Sequence, residues 1–533
     1  MVENGPEHNE EMSREELEEL LKPPSRNGAL KYVVLVMAVL VIASVYAFFH
    51  LAGDRVPEVA QPPAAVRVPD ATKVPSRRIE VRVSSSPAGV GVFHNGRNVG
   101  VTPLVLRDVE GAVTLLVNGY EPASRMIESG LSHLHVDMKQ MTDEAVSPPA
   151  EWGMYMGEPA RYRAFSNGGS VRLEQRWSVA MEMPTWSSPV IADGKVFVSS
   201  KRDLITAFDL ADGSRIWKFS GGGGTDTTPV LFDKDVLVGS NSSSFRAFQQ
   251  SKGKLRGEIS LPAYVGASPI TDGEALYVVT GSGEMHAMTP RKGMFKQVSF
   301  EEKWRFREEE KLVTAPLLVD GVLYVASART VYAVRRDSGE MRWRYSAPAP
   351  RSSKRNETGG LRLANNGGPP PSCGMVNGAV LFPSEDTLYM MCEDGTAEWS
   401  YRCGAQIQTT PVSAGGLVFI CDAAGILHSV TIDQGRMAWR RTIGLVKAAP
   451  VIVNGAAILG TEDGTLRAID IHTAEVVFTH AIGDVIAAPP AVTSDTMVVT
   501  TASGKVMAFR LVPGLVPGIA CRLVPGLVPG LLS

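Results

Sequence analysis

The chain has 533 residues, and its 53 Lys and Arg against 56 Asp and Glu give a formal net charge of −3. This balance excludes a general nucleic-acid-binding protein, because such proteins carry an excess of basic residues. Hydrophobic residues make up 44% of the chain, which is enough for an ordinary core, and five cysteines in this length exclude a disulfide-dense scaffold.

An apolar segment near the N-terminus predicts a membrane anchor. The stretch YVVLVMAVLVIASVYAFFHL, from Tyr32 to Leu51, has no charged residue. A helix of about 20 residues spans a hydrocarbon core of about 30 Å. The 31 residues before it are acidic and longer than the leader of a cleaved signal peptide. We therefore expect an uncleaved transmembrane helix over residues 32–52, with a processed export signal as the alternative.

Basic residues beside the anchor predict its orientation. Lys22, Arg26 and Lys31 precede the apolar segment. Short basic flanks stay on the cytoplasmic side. We expect residues 1–31 to be an acidic cytoplasmic segment, the anchor to lie in the inner membrane, and the later domains to be periplasmic. Residues 53–78 are Pro-rich without an apolar period, and they predict a semi-extended linker.

Residues 79–140 predict a small β-sandwich. Apolar and polar residues alternate between turn residues, and Asn95-Gly96 is typical of a tight hairpin. The pattern resembles a PEGA domain, although Ala88 and Val90 stand where the name-giving motif has Glu and Ala. The resemblance implies an extracytoplasmic module that binds or spaces. Residues 141–170 are interpreted as a second linker.

From residue 171 to residue 511 a unit of about forty residues recurs. In most units a Trp precedes a Pro by eleven or twelve residues. Gly257 takes the place of the Trp in one unit, and an insertion over 289–303 lengthens the next. The Pro residues that mark the units are Pro189, Pro229, Pro269, Pro316, Pro371, Pro411, Pro450 and Pro489.

Each unit reads as four short strands, which is the pattern of a propeller blade. The strand at 171–179 precedes the first Pro, and we expect it to complete the last unit and so remove the open sheet edges. The sequence thus predicts an all-β fold with an eight-bladed β-propeller over residues 171–511. The Trp side chains are predicted to dock each blade on the next: Trp177, Trp217, Trp304, Trp343, Trp399 and Trp439.

The unit from Ala207 to Trp217, AFDLADGSRIW, resembles the repeat of the pyrroloquinoline-quinone (PQQ)-type propeller family. That family includes quinone-dependent dehydrogenases and non-enzymatic BamB-type scaffolds. The resemblance to the dehydrogenases implies a Ca²⁺ site and an adjacent-cysteine disulfide. This sequence has no Cys-Cys pair, no recognisable set of oxygen ligands for a hard cation, and no Cys-x-x-Cys-His. We therefore predict no catalytic residue, no cofactor and no metal site.

A long basic insertion is the candidate partner-binding loop. It runs from Ser346 to Ser372, which is longer than an ordinary connection between strands. Its basic residues could meet an acidic partner surface, and plain disorder is the alternative. The four residues concerned are Arg351, Lys354, Arg355 and Arg362.

Cysteines outside the cytoplasm tend to oxidise, and Cys403 with Cys421 is the candidate disulfide. Buried free thiols are the alternative. The motif RLVPGLVPG occurs twice between Arg510 and Ser533, and residues 512–533 are interpreted as a low-complexity tail.

Together these features predict an inner-membrane-anchored periplasmic scaffold that binds protein partners in the cell envelope. It contacts the bilayer through residues 32–52 and binds no nucleic acid. By analogy with BamB-type scaffolds, its role would be in the assembly of envelope or outer-membrane proteins. A PQQ-dependent dehydrogenase and a transmembrane sensor or adaptor are the alternatives.

Overall fold

A computed structural model describes most of the chain between residues 80 and 514. The gaps in that description are residues 118–119, 129, 141–152, 157–163, 166–169, 202, 294–296, 349–370 and 487. The predicted cytoplasmic segment, the anchor at 32–52, the linker at 53–78 and most of the tail lie outside it. Among the described residues, no helix is long and apolar enough to cross a membrane.

All regular elements of the described residues are β-strands, which confirms the predicted all-β fold. The first seven strands form two sheets, with orders β4-β1-β7 and β3-β2-β5-β6. Their bounds are Glu80–Ser86 (β1), Gly91–His94 (β2), Arg97–Val101 (β3), Leu104–Arg107 (β4), Gly111–Leu116 (β5), Ala123–Ile127 (β6) and His133–Asp137 (β7). Alternate apolar side chains, such as Val81 and Val83, are fully buried between the sheets. This sandwich corresponds to the PEGA-like segment.

The remaining strands form a series of eight sheets within the described residues. Sheets 1 to 4 contain Val190–Ala192 (β10), Lys195–Val198 (β11), Asp203–Asp209 (β12) and Arg215–Ser220 (β13); Val230–Phe232 (β14), Asp235–Gly239 (β15), Ser244–Gln249 (β16) and Leu255–Ser260 (β17); Ile270–Thr271 (β18), Leu276–Val279 (β19), Met285–Lys292 (β20) and Val298–Phe306 (β21); and Leu317–Val319 (β22), Val322–Ala326 (β23), Thr330–Arg335 (β24) and Met341–Ser346 (β25).

Sheets 5 to 8 continue the series. They contain Gly374–Val376 (β26), Ala379–Ser384 (β27), Thr387–Met391 (β28) and Ala397–Arg402 (β29); Val412–Ala414 (β30), Leu417–Cys421 (β31), Ile426–Thr431 (β32) and Met437–Thr442 (β33); Val451–Val453 (β34), Ala456–Gly460 (β35), Thr465–Asp470 (β36) and Val476–Ala481 (β37), joined by Ala164–Phe165 (β8); and Ala491–Val492 (β38), Thr496–Thr500 (β39), Lys505–Gly514 (β40) and Ser170–Ala180 (β9).

The first two strands of each sheet are antiparallel, and in six of the eight sheets a two-residue turn joins them. In sheet 1 the turn is Asp193-Gly194, with φ of 48° and 68°. A hairpin of this type needs positive φ at both residues, which Asp tolerates and Gly favours. Asn454-Gly455, with φ of 49° and 72°, makes the same turn in sheet 7.

The two ends of the series meet in sheet 8. Strand β9 pairs antiparallel with β40 along its whole length, from Ser170 opposite Gly514 to Ala180 opposite Lys505. One hydrophobic cluster joins sheets 7, 8 and 1. The Thr500 hydroxyl of sheet 8 also donates to the Ser187 carbonyl just before sheet 1, at 2.9 Å. The last sheet therefore packs against the first, and pairing of the two chain ends completes it.

Two of the eight Pro residues that were predicted to mark the units do not lie directly before the first strand of their sheet. Strand β26 starts directly after Cys373, and β38 starts directly after Pro490, just as β10 starts after Pro189. Cys373 and Pro490 therefore occupy the marker position, rather than Pro371 and Pro489. In the fifth unit, the marker Pro is replaced by Cys and a chance Pro lies two residues upstream.

The sandwich packs on the outer part of sheet 6. The amide of Arg440 in β33 donates to the carbonyl of Gly96, at 3.2 Å. A side chain on Gly416, in the first turn of sheet 6, would overlap the Pro122 ring of the sandwich. The Asn95-Gly96 hairpin therefore serves as a contact with the sheets as well as a turn.

Candidate functional site

The six Trp side chains connect consecutive sheets. Each indole N–H donates to a main-chain carbonyl of the next sheet. The carbonyl lies in the turn between the third and fourth strands of that sheet. The bonds are Trp177 to Leu210 (2.9 Å), Trp217 to Gln250 (2.8 Å), Trp304 to Arg336 (2.9 Å), Trp343 to Glu393 (2.7 Å), Trp399 to Ile432 (2.7 Å) and Trp439 to Ile471 (2.8 Å). This geometry gives a physical reason for the constant spacing of the Trp residues.

The indole ring in turn packs on a residue with positive φ. At five of these contacts the residue is Gly, and a Cβ there would lie within 2.5 to 2.7 Å of the ring: Gly213, Gly253, Gly339, Gly395 and Gly435. At the sixth contact, Ala474 occupies the same position with φ of 61°. A bulky side chain at this position would lift the indole off the next sheet.

Sheets 2 and 3 are joined differently. Gly257 of β17 pairs with Ala247 in the place that Trp217 has opposite Ala207. A Cβ on Gly257 would overlap the main-chain carbonyl of Val298, at the start of β21. The backbone of the insertion that lengthens sheet 3 therefore covers the position that an indole covers elsewhere.

The first strands of the sheets converge on a common centre. In successive sheets, the amide just before the first strand donates to a hydroxyl at the same position of the next sheet. The bonds are Ser188 to Thr228 (3.3 Å), Thr228 to Ser268 (3.1 Å), Ala315 to Ser372 (3.1 Å) and Ser372 to Thr410 (3.0 Å). We call the space enclosed by the first strands the central channel.

Part of the predicted second linker lies in this channel. The carbonyl of Gly153 accepts from the amide of Leu231 in β14, at 2.8 Å. Strand β8 pairs in parallel with β34, the first strand of sheet 7. This placement was not predicted from the sequence, because the segment has no apolar period and its contacts are distant in sequence.

One face of the sheets carries all connections from the fourth strand of one sheet to the first strand of the next. The chain enters and leaves an antiparallel meander of four strands on the same side of the sheet. The amide–hydroxyl bonds described above join neighbouring sheets on that side. We call this the connecting face. Trp186, Asp226, Gln408 and Lys447 belong to it, one in each of four connections. The Lys447 ammonium lies 5.2 Å from the centre of the Trp186 ring, which is cation–π geometry.

Two polar atoms of the connecting face lack hydrogen-bond partners among the described residues. The Asp226 Oδ1 and the Gln408 Nε2 are buried and have no partner among the described residues. Burial raises the pKa of Asp226, although Lys201 opposes this effect through an ion pair of 3.6 Å with Oδ2. A buried polar group without a partner is costly. The Asp226 Oδ1 therefore keeps an acceptor capacity, and the Gln408 Nε2 a donor capacity, that no described residue uses.

Two apolar side chains are also exposed on this face, one of them in the connection that carries Lys447. Tyr264 is 49% exposed between sheets 2 and 3, and Leu445 is 45% exposed between sheets 6 and 7. The connection from sheet 4 to sheet 5 is the basic insertion. Its residues Arg351, Lys354, Arg355 and Arg362 lie outside the described residues, so their contacts are not described.

Cys403 and Cys421 are free thiols, and the predicted disulfide between them is not formed. Side chains alternate between the two faces of a strand. Cys421 belongs to the cluster of Leu417 and Phe419, on one face of β31, whereas Cys403 packs in the cluster of the opposite face. Burial raises the pKa of the Cys421 thiol to about 12 and also raises that of Cys403. Both thiols are therefore protonated at neutral pH and poorly reactive.

A buried polar chain links sheets 5 and 6. The Tyr401 hydroxyl lies 2.9 Å from the Nδ1 of His428, and the Nε2 of His428 lies 2.9 Å from Asp422 Oδ2. His428 and Asp422 are almost fully buried. Burial lowers the pKa of His428 despite the nearby carboxylate. Since the Nε2–H of His428 donates to the Asp422 carboxylate, the Nδ1 of a neutral His428 accepts a hydrogen bond from the Tyr401 hydroxyl. The group forms a hydrogen-bonded contact between sheets 5 and 6.

Among the described residues, no cluster of three or more His, Cys, Asp or Glu side chains is arranged to hold a metal ion.

The sandwich matches the profile of the PEGA domain family over residues 78–139. Two curated proteins are similar to this chain. The outer membrane protein assembly factor BamB of Moranella endobia (strain PCIT) is 21% identical over 295 residues, covering 48% of this chain and 71% of that protein. BamB of Yersinia pestis is 24% identical over 276 residues, covering 48% of this chain and 64% of that protein, so more than a third of it lies outside the match.

Solved structures share the fold. BamB from Moraxella catarrhalis superposes with a TM-score of 0.52 at 12% identity, covering 64% of this chain and 100% of that one. A europium-containing methanol dehydrogenase superposes with a TM-score of 0.54 at 12% identity, covering 68% and 98%. At such identities, the likeness shows the propeller-type fold alone. A family profile matches residues 170–345, 362–444 and 393–516, more than half of the chain, and through them the chain belongs to the family described as outer membrane protein assembly factor BamB.

Proposed function

We propose that this protein is a periplasmic scaffold that binds protein partners in the cell envelope, in the assembly of envelope or outer-membrane proteins. Each of the eight sheets is one blade of an eight-bladed β-propeller, and β9 with β40 closes the ring. Membership of the BamB family supports the protein-binding role, since the printed names of the relatives are those of assembly factors. The apolar segment at 32–52 anchors the scaffold in the inner membrane, with residues 1–31 in the cytoplasm.

The connecting face is the observation that carries this proposal. It brings together the exposed Tyr264 and Leu445, the Trp186–Lys447 pair and both ends of the basic insertion. Aromatic and apolar anchors within a polar rim are typical of surfaces that bind proteins. The basic residues of the insertion favour a partner with an acidic surface.

The direct experiment is partner capture from membranes. Cells that express the tagged full chain are crosslinked and solubilised in detergent, and the captured proteins are identified by mass spectrometry. Two test variants change the connecting face: Y264S together with L445S, and R351E together with K354E, R355E and R362E. The matched control reverses three exposed lysines in the turns of the opposite face: K234E, K252E and K254E.

We expect one stoichiometric partner with the unchanged chain and with the control. We expect a loss of tenfold or more with either test variant, because a few central residues carry most of the binding energy of an interface. The absence of any partner above background would contradict the scaffold. Equal loss with the control variant would place the docking surface elsewhere.

A further inference from the structure

The segment Gly153–Met156 is an unusual part of the fold. Met154, Tyr155 and Met156 are only 8%, 7% and 3% exposed, yet they belong to no strand of any sheet. They share a hydrophobic cluster with Val230 and Val412, which lie in the first strands of sheets 2 and 6. Three large apolar side chains of a connecting segment are therefore buried where the first strands converge.

Polar contacts attach the segment at two distant points. The Gly153 carbonyl accepts from the Leu231 amide in sheet 2, at 2.8 Å. The Tyr155 hydroxyl lies 3.3 Å from the Thr410 Oγ1, directly before the first strand of sheet 6. Sheets 2 and 6 are four places apart in the series of eight. The segment therefore runs across the central channel.

A few residues later the chain lies along the channel wall again. Ala164 and Phe165 form β8, which pairs with Ile452 and Val453 on the inner edge of sheet 7. The free edge of a first strand presents unpaired N–H and C=O groups. At sheets 2 and 7, this chain itself provides the missing partners.

We propose that Gly153–Met156 is a built-in plug of the central channel. It occupies the place where a ligand of the channel would lie, and it straps the sandwich to the sheets. Unbranched Met side chains suit such a role, since they adapt to an irregular gap. The sandwich already touches sheet 6 through Gly96 and Arg440. With the plug in place, the chain that follows the sandwich is held at Gly153–Met156 as well.

A disulfide tests the position of the plug. A Cβ on Gly153 would lie 3.9 Å from the Leu231 Cβ, which is within the range of natural disulfides. The full chain with G153C and L231C is oxidised, digested, and searched by mass spectrometry for the linked peptide. The control is G153C with L318C, because Leu318 holds the same register position in sheet 4. We expect the link in the first variant and not in the second. Its absence from the first, or equal yields in both, would overturn the proposal.

Methionine oxidation tests whether the plug stays in place in solution, and it needs no substitution. The folded full chain is treated briefly with hydrogen peroxide, and each methionine sulfoxide is quantified by peptide mass spectrometry. Met126 and Met341, which are 50% and 43% exposed, provide the internal standard. We expect Met154 and Met156 to oxidise at least tenfold more slowly than these two. Oxidation at the rate of Met126 would show that the channel is open and would overturn the proposal.

A single substitution tests whether the contact between Tyr155 and Thr410 holds the Gly153–Met156 segment in the channel. In the Y155G variant the bond to Thr410 and most of the buried side chain are lost. We expect oxidation of Met154 and Met156 to rise at least fivefold while that of Met126 is unchanged. The Y155F variant keeps the ring, and we expect a rise of less than twofold. Unchanged protection in Y155G would show that Tyr155 does not hold the segment in place, which contradicts the strap.

Discussion

The contact between sheets 6 and 7 differs from the contact between sheets 2 and 3. In the first, the fully buried indole of Trp439 packs on Ala474 and donates to the Ile471 carbonyl at 2.8 Å. In the second, Gly257 stands in the Trp position and the backbone of β21 lies over it. Strand β21 has nine residues, against six in β17. The same gap is thus closed by a side chain in one place and by main chain in the other.

This difference explains two irregularities of the repeat together. Gly257 breaks the Trp pattern, and the insertion at 289–303 breaks the length of the next unit. The extended strand would collide with any side chain at residue 257. The insertion in one unit and the loss of Trp in the preceding one are therefore a single structural change.

The largest effect is expected from truncating the indole. W439A leaves a cavity and an unpaired carbonyl in a fully buried site, and we expect the free energy of unfolding to fall by about 4 kcal/mol. Urea unfolding followed by intrinsic fluorescence measures this. W439F keeps the apolar contact and loses the hydrogen bond, and a loss of only about 1 kcal/mol is expected. Equal losses in the two variants would mean that ring packing contributes little.

At the contact between sheets 2 and 3, the addition of a single methyl group should be enough to destabilise the fold. G257A places a Cβ on the Val298 carbonyl, which the backbone can relieve only by moving, and we expect a loss of about 3 kcal/mol in the same assay. G293A is the control, since a Cβ there would meet nothing closer than 3.8 Å. If G257A unfolded at the same urea concentration as G293A, the backbone of β21 would not be in close contact with Gly257.

The contact between sheets 5 and 6 adds a pH dependence to the stability of the fold. Burial lowers the pKa of His428 below its ordinary value of 6.5. Below about pH 6.5 the unfolded chain therefore binds a proton that the folded chain does not, and stability falls with falling pH. One such group contributes at most about 1.4 kcal/mol per pH unit.

Urea unfolding between pH 7 and pH 5 measures this slope. H428Q should make the slope shallower, whereas Q408N, which changes no titratable group, should leave the slope unchanged. Burial also lowers the pKa of His472, so part of the slope should persist in H428Q. An identical slope in H428Q and the unchanged chain would contradict this role of His428.

The smallest effect concerns Ala474. Its φ of 61° is costly for a residue with a Cβ, and the equivalent residue is Gly at the other five Trp contacts. We expect A474G to raise the free energy of unfolding by about 0.5 kcal/mol. The matched control is G435A at the preceding contact, which should lower it by about 1 kcal/mol or more. Destabilisation by A474G would show that the methyl group packs favourably under Trp439.

Local sequence patterns predicted the strands well because the repeat is regular. Turn pairs such as Asp193-Gly194 gave the hairpins, and the Trp spacing gave the order of the sheets. The fifth unit was misplaced because Cys373 replaces the marker Pro. The disulfide prediction failed because strand ends in sequence do not reveal that Cys403 and Cys421 pack on opposite faces of sheet 6.

The parts that sequence could not predict depend on distant contacts. Tyr155 meets a residue 255 positions away, and nothing in GMYM indicates that it enters a channel. The partners of His428 are a Tyr on the previous sheet and an Asp after a neighbouring strand. Their geometry follows from how the sheets pack, which the order of residues within one unit does not specify.

As proposed above, this protein is a scaffold whose central channel is filled by its own chain, and it catalyses no quinone-dependent reaction. The most direct measurement is a titration of the purified full chain with PQQ in the presence of Ca²⁺, followed by quinone absorbance and by alcohol-dependent dye reduction. A quinone-dependent methanol dehydrogenase serves as the positive control. We predict no saturable binding and no dye reduction above the protein-free rate. Saturable binding with dye reduction would contradict the scaffold and establish a dehydrogenase.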